Sequence, residues 1–247
     1  MDHNKFYDDL HKNMIGKEDS YLEVDDSDII LEILNFLNLS ENIRVLDLGC
    51  GSGFLTKKIL DKLKPNMVTG LDISKEAITL ARERFSNIFF ICGDAEVLNS
   101  LNGKKFDLIV SADLFEHLGN QRLHLKSIKT IMERDGVYLL KTPNKVWDDL
   151  YYKKILLRKD YQKKHVWWLA HKNVRTSKFL KTMLKEEGFE YKFLRIKRLT
   201  EANRKKVRLI FGDPLSNIVI VVIHFLLFVL PINLSPYFIV LINFKNE

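Results

Sequence analysis

Three glycines at alternate positions, Gly49, Gly51 and Gly53, follow a short apolar run and precede a helical pattern. Glycine lets a chain turn sharply and lets a ligand approach the backbone with no Cβ in between. A helix that starts at such a turn offers unpaired N–H groups and a partial positive charge. Strand, glycine turn and helix together make a nucleotide-type binding site. The spacing narrows the ligand. A dinucleotide turn needs G-x-G-x-x-G, and here the position of the third glycine holds Phe54. A phosphate-cradling loop ends in Gly-Lys-Ser/Thr, which does not occur here. Asp47, at the end of the strand, suits a ligand carrying an ammonium group better than a pyrophosphate.

Asp72 stands 19 positions after Gly53. An acid at about 20 residues meets ribose hydroxyls in nucleotide-binding βαβ units. Two adjacent hydroxyls are donors, and a carboxylate accepts from both. The competing role, a helix cap, falls to Ser74. Further along, Asp94, Asp113 and Thr142 each follow an apolar run, as Asp47 and Asp72 do. The near-neutral unperturbed titration of a histidine suits a general base, and His117, with Glu116 before it, is placed for that role. His165 and His171 flank Trp167-Trp168; they either line an acceptor pocket or pack a loop onto the core.

These residues need a scaffold that brings strand ends together. Continuous apolar runs at 43–48, 67–71, 88–92, 106–111 and 137–141 read as buried parallel strands. Helical patterns fall at 29–37, from Phe54 to the residue before Pro65, at 75–84 and at 121–132, with Asp135-Gly136 turning into the fifth strand. Regular alternation argues a parallel sheet with helices on both faces and ligands at the carboxyl ends of the strands.

The segments VLDLGCGSG, LDIS, GDAE, FDLIVSADLFEHL and GVYLLKTPN resemble successive motifs of the class I S-adenosylmethionine-dependent methyltransferases, over roughly 28–144. A further segment, 165–189, ends in Glu-Glu-Gly-Phe and resembles the piece before strand six, with Gly188 as helix C′ residue. The resemblance implies a Rossmann-like α/β fold. Its seven-stranded sheet is mostly parallel with the last strand antiparallel, strands six and seven falling at 191–199 and 237–244. It implies S-adenosyl-L-methionine as cofactor, held by Asp47, Gly49, Cys50, Gly51, Gly53, Asp72, Ile73, Asp94, Ala95 and Asp113, with Asp94 accepting from the adenine amino group. The EHL segment most resembles small-molecule methyltransferases of the ubiquinone-biosynthesis type. His117 and Glu116 are the catalytic candidates, and a polar helix start closing over the cofactor is the alternative for them. Asp113, Glu116 and His117 resemble the metal-holding E-x-x-E-H of that group, but Asp replaces the first Glu, and no metal ligand is assigned.

A chain of 247 residues, 46% hydrophobic and 29% charged, suits one globular domain over 1–247. Its net charge of +7 is uneven. Residues 1–41 hold 11 acids against 3 lysines and read as a helical arm, either a lid or a frayed terminus. Residues 144–212 hold 20 Lys and Arg against 7 Asp and Glu, a basic stretch that faces nucleic acid, an anionic membrane or only solvent. An RNA methyltransferase is the alternative enzyme. It is weakened by the absence of an Asn/Asp-Pro-Pro-Tyr motif after strand four and of an RNA-binding module. A cofactor-binding membrane scaffold is the non-enzymatic alternative. Two cysteines, Cys50 and Cys92, make neither a metal pattern nor a disulfide framework. With no basic and apolar leader at the acidic N-terminus, this points to the cytoplasm.

The segment 200–236 departs from a minimal member of the family. It opens with Arg204, Lys205, Lys206 and Arg208 and continues apolar over 215–230 between Pro214 and Pro231. A helix of that length spans about 24 Å, short of the roughly 30 Å bilayer core. Strand seven must also return to the sheet, so a single crossing is excluded. What remains is a buried or dimer-forming helix, or an in-plane insertion into an anionic membrane with Ile220, Phe225 and Phe228 facing lipid. The expected acceptor is a small or lipid-like molecule, reached at the inner face of a membrane.

Overall fold

The structure, a computed structural model, describes residues 8, 27–37, 39–40, 42–101, 103–149, 171, 173–195, 204, 207–208, 211–229 and 235–245. In chain order these form α1 (Ser27–Leu34), β1 (Arg44–Leu48), α2 (Phe54–Leu63), β2 (Met67–Asp72), α3 (Lys75–Arg84), β3 (Phe89–Cys92) and β4 (Phe106–Ala112). Then come α4 (Gln121–Ile131), β5 (Met132–Pro143), α5 (Ser177–Glu186), β6 (Phe189–Leu194), α6 (Asp213–Val229) and β7 (Tyr237–Phe244).

The strands form one seven-stranded sheet in the order β3-β2-β1-β4-β5-β7-β6. The first five pair in parallel, while β7 runs antiparallel to both β5 and β6. The expected Rossmann-like sheet is therefore present, with β7 as its one reversed strand. The order reverses between β1 and β4, and such a switch point leaves a crevice at the carboxyl ends of the strands. Alternate residues of β1 and β4 feed two cores. Leu46, Leu48 and Ile109 pack with α4 and α5 residues such as Leu125, Ile128, Leu180 and Leu184. Val45, Leu108 and Val110 pack with Ile29, Ile30 and Leu34 of α1 and Ile59 of α2. Burial on both faces explains why these strands are continuous apolar runs in the sequence.

Several boundaries differ from expectation. The first helix ends at Leu34 rather than at 37. The strand β5 starts at Met132, directly where α4 ends. Met132 pairs with Phe106 and Val137 with Leu108, so residues 133–136 bulge out opposite Asp107. Asp135-Gly136 is thus a bulge inside a strand, not a turn before one. Arg44 explains it: its backbone N–H donates to Asp107 at 2.7 Å and its guanidinium binds Glu133. On the far side Asn243 donates to the Gly136 carbonyl. The strand β6 begins at Phe189, two residues early, because Gly188, with φ +75°, turns the chain out of α5 at once. Its expected end at 199 lies outside the described residues.

Of the N-terminal arm only Asp8 is described before residue 27. It accepts from the Ser74 hydroxyl at 2.8 Å, at the start of α3. The expected reading of 1–26 otherwise lies outside the described residues, as do 150–170 and much of the basic stretch.

Candidate active site

The glycine turn is built by local backbone geometry. Gly49, Gly51 and Gly53 all have positive φ, between +52° and +87°, a region that costs other residues a Cβ clash. At Gly53 a Cβ would also lie 2.7 Å from the ring of Phe90. The turn is tied to the next strand: the Gly51 N–H donates to Oδ2 of Asp72 at 2.9 Å, and the Gly49 N–H donates to the Leu71 carbonyl at 2.8 Å. The other Asp72 oxygen accepts from the Ser74 N–H, and the Ser74 hydroxyl caps α3 by accepting from Ala77. Ser74 thus takes the helix cap, as the sequence suggests, while Asp72 ties the glycine turn to the start of α3.

The remaining cofactor candidates fall around this turn. Asp47 is 1% exposed and accepts from the Thr56 hydroxyl at 2.6 Å. Its carboxylate lies beneath the turn and braces the first turn of α2. Cys50 contributes its backbone to the turn, while its side chain packs with Ile78, Ala81 and Phe90. Burial, with Asp72 and Asp47 behind it, pushes its thiol well above the ordinary range. Ile73 follows Asp72, and its carbonyl accepts from the Cys92 thiol. Asp94 is exposed beyond β3 and accepts from the Glu96 N–H. Ala95 is buried, and its carbonyl contacts His124 Nδ1 at 2.6 Å.

A second group collects past β4 and β5. Asp113 has φ +55°, is exposed, and is ion-paired with Lys141, a buried cation at the end of β5. Glu116 and His117 sit on a short 3-10 turn, Phe115–His117. Glu116 is fully buried. Its Oε2 accepts from the Thr142 hydroxyl at 3.0 Å, and Oε1 has no hydrogen-bond partner among the described residues. Burial first, then the nearby Asp113 charge, push Glu116 up to about 7, against the pull of His171 and the hydrogen bonds. Nε2 of His117 lies 3.9 Å from Glu116 Oε1.

His171 completes the cluster. Its ring meets that of His117 edge-on at 5.0 Å, and its Nδ1 contacts Asp148 at 3.3 Å. The backbone explains how a residue so far along the chain arrives there. Asn173 donates its N–H to the Glu116 carbonyl and its side-chain amide to the Leu118 carbonyl. Gln121 bridges the Phe115 and Asn173 carbonyls, and Arg175 donates to Gln121. One ligand atom each from Glu116, His117 and His171 lies within 4.8 Å of the others. The sequence pointed to His117 and Glu116 and left His171 open; it gave no signal for Asp148. His165, Trp167 and Trp168 lie outside the described residues.

The two groups touch. A Cβ on Gly49 would lie 3.0 Å from the Cβ of Leu114, one residue before the 3-10 turn. The glycine turn and the Glu116–His117 turn therefore share one crevice wall.

Residues 39–191 match the family model of a methyltransferase domain. Among curated proteins, the chain is 35% identical over 114 residues to a malonyl-[acyl-carrier protein] O-methyltransferase of Acetivibrio thermocellus, covering 44% of this chain and 40% of that one. It is 29% identical over 110 residues to a ubiquinone biosynthesis O-methyltransferase of Glaesserella parasuis, covering 41% and 46%. The chain thus spans less than half the length of these relatives. A solved S-adenosylmethionine-dependent methyltransferase from Clostridium acetobutylicum superposes with a TM-score of 0.62 at 14% identity, over 96% of this chain and 100% of that one, a likeness of fold. With the family model matched over well more than half of its length, the chain belongs to the methyltransferase-domain family.

Proposed function

We propose that this chain transfers a methyl group from S-adenosylmethionine to a small-molecule or lipid-like acceptor, working at an anionic membrane surface. The observation that carries the cofactor is the Gly51–Asp72 link. It sets a carboxylate beside an open glycine turn at the switch point of the sheet, where adenosine hydroxyls can donate to it. Asp94 and the Ala95 backbone are then the adenine end, and Asp47 supports the turn from below. The relatives named above point the same way.

The reaction needs acceptor, methyl carbon and sulfur in line. The acceptor's lone pair forms the new bond to carbon, the carbon–sulfur bond breaks, and S-adenosylhomocysteine leaves. A hydroxyl or acid acceptor also loses its proton, and Glu116 with His117 is where that group would meet the protein. A buried carboxylate and two imidazoles suit an oxygen acceptor of modest size.

The membrane reading rests on α6. Among the described residues no helix is long and apolar enough to cross a bilayer. Yet Leu215, Ile218, Val221, Val222 and Phe225 are 48–67% exposed on one helix. An exposed apolar face of this kind marks an interaction surface. The basic run Arg204, Lys205, Lys206 and Arg208 just before it favours anionic lipid as the partner.

Release of S-adenosylhomocysteine tests the reading, with a malonyl thioester, a catechol, a cell lipid extract and RNA offered as separate acceptors. Turnover with one of the first three is expected. Turnover with RNA alone, or cofactor binding without turnover on any acceptor, would overturn it.

A further inference from the structure

We propose that His124 is a positioning residue for the cofactor, setting the carboxylate of Asp94 through the peptide that joins Ala95 to Glu96. The inference rests on the reading of Asp94 and Ala95 as the adenine end of an S-adenosylmethionine site.

Three polar side chains are buried along one stripe of α4. Gln121, His124 and Ser127 stand three residues apart, each 8% exposed or less, beside the buried Leu125, Ile128 and Ile131. Apolar residues there would bury the helix at less cost, because a buried polar group is costly unless it finds a partner. Each of the three finds a backbone carbonyl. Gln121 donates to Phe115 and Asn173, His124 bonds to Ala95 at 2.6 Å, and Ser127 donates to Glu96 at 2.7 Å. These carbonyls belong to the segments after β3 and β4 and beside His171, which carry the candidate site residues. The stripe thus holds the parts of the site in one frame.

His124 acts at its centre. A carbonyl only accepts, so Nδ1 carries the proton, and Nε2 accepts from the Tyr138 hydroxyl at 3.0 Å. Burial pushes the ring down to about 4, which keeps this neutral form at neutral pH. A peptide unit is planar and trans, so a bond to its carbonyl also aims its N–H. The N–H opposite the Ala95 carbonyl is that of Glu96, and it donates to Oδ1 of Asp94 at 2.7 Å. His124 and Asp94 thus grip opposite edges of one rigid plane. Ser127 fixes the following peptide by its carbonyl, and the Glu96 side chain accepts from the Gly119 N–H past the acceptor turn. Held in this way, Asp94 keeps Oδ1 on its own loop and turns Oδ2 to the adenine amino group. His124 also meets the ring of Phe115 edge-on, with centroids 5.8 Å apart. The adenine loop and the acceptor turn therefore rest on the same side chain.

The test measures two ligands by calorimetry on the full-length protein, well below its melting temperature. One is S-adenosylhomocysteine, and the other is its analogue with hypoxanthine in place of adenine. The analogue lacks the amino group, so the ratio of the two affinities reads the Asp94 contact, and wild type is expected to prefer adenine. His124→Phe keeps a buried ring but loses the donor. It is expected to shrink the ratio about tenfold or more, as loss of a hydrogen bond to a charged group does. His124→Asn, whose amide nitrogen falls where Nδ1 stood, is expected to keep most of the preference. Ser127→Ala should shrink it in the same direction and by less. Circular dichroism checks the fold of each variant, and Ser127→Ala carries the test should His124→Phe not fold. An unchanged ratio in the folded variants would overturn the proposal. Equal weakening of both ligands would also overturn it, and would leave His124 as a support of the fold alone. Wild-type protein that binds both ligands equally would remove Asp94 from the adenine end while the methyltransferase reading stands. Wild-type protein that binds neither would overturn the cofactor reading itself, and the inference with it.

Discussion

The backbone N–H of Gly51 donates to Asp72 Oδ2 at 2.9 Å, joining the turn after β1 to the end of β2. The bond holds the turn's shape and orients the carboxylate in one step. With Oδ1 taken by the Ser74 N–H, the side chain is anchored at both oxygens. Such a carboxylate is preorganised for ribose hydroxyls, because little freedom remains to be lost on binding.

Asp72→Ala should therefore weaken S-adenosylhomocysteine binding by at least tenfold. Each charge-assisted hydrogen bond is worth about 1.5–3 kcal/mol, and two hydroxyls are available to make them. Calorimetry checks this, with the melting temperature measured alongside. An unchanged affinity in a folded variant would remove Asp72 from the cofactor site.

Most of the sheet was legible in the sequence for a physical reason. Parallel strands covered on both faces must be apolar throughout, and a glycine or an acid then marks where each meets solvent. The bounds of α3 and β7 agree with expectation to the residue. The bulge at 133–136 was not legible, because its cause is a long-range partner, Arg44, on another strand. The Asp148–His171 contact joins residues 23 positions apart, so no local periodicity announces it. Lys141 at the end of an apolar run gave no sign that it would be buried, since Asp113, a partner 28 positions away in the chain, helps to make that burial affordable.

His124 supplies a pH dependence. It is fully buried between the Ala95 carbonyl and the Tyr138 hydroxyl, and burial pushes it down to about 4. In the folded protein it stays neutral to about that pH, whereas an unfolded histidine takes a proton below about 6.5. The unfolded state therefore binds more protons between these values, and stability falls as pH drops through them. The full loss is on the order of 3 kcal/mol, complete below about pH 4. Melting temperatures of wild type and His124→Gln across pH 7.5 to 4 test the assignment. The variant should start lower, having lost two fitted contacts, but should decline less steeply. Parallel declines would place the acid sensitivity elsewhere.

The last prediction concerns the face of α6. The sequence suggested Ile220, Phe225 and Phe228 as lipid-facing. Ile220 is in fact 8% exposed and packs with Val207 and Ile223 against Trp147 and Phe211. A helix that is apolar on all sides does not reveal from sequence which side its own protein covers. The side chain of Phe228 lies outside the described residues, and Phe225 is 63% exposed as expected. Of the exposed apolar positions, Ile218, Val221 and Phe225 are spaced by three and four residues along one face. Apolar burial at about 25 cal/mol per Å² and about 1 kcal/mol for each Lys or Arg near the surface should both contribute to docking. Sedimentation with liposomes should then rise with anionic lipid content and fall partly, not wholly, with salt. Replacing Ile218, Val221 and Phe225 together by Ser should release the protein while S-adenosylhomocysteine binding survives, because none of the three belongs to the buried cluster. Wild-type protein that stays in the supernatant with anionic liposomes would count against docking. A shift from dimer to monomer in the triple variant by analytical ultracentrifugation would assign the face to a second copy instead.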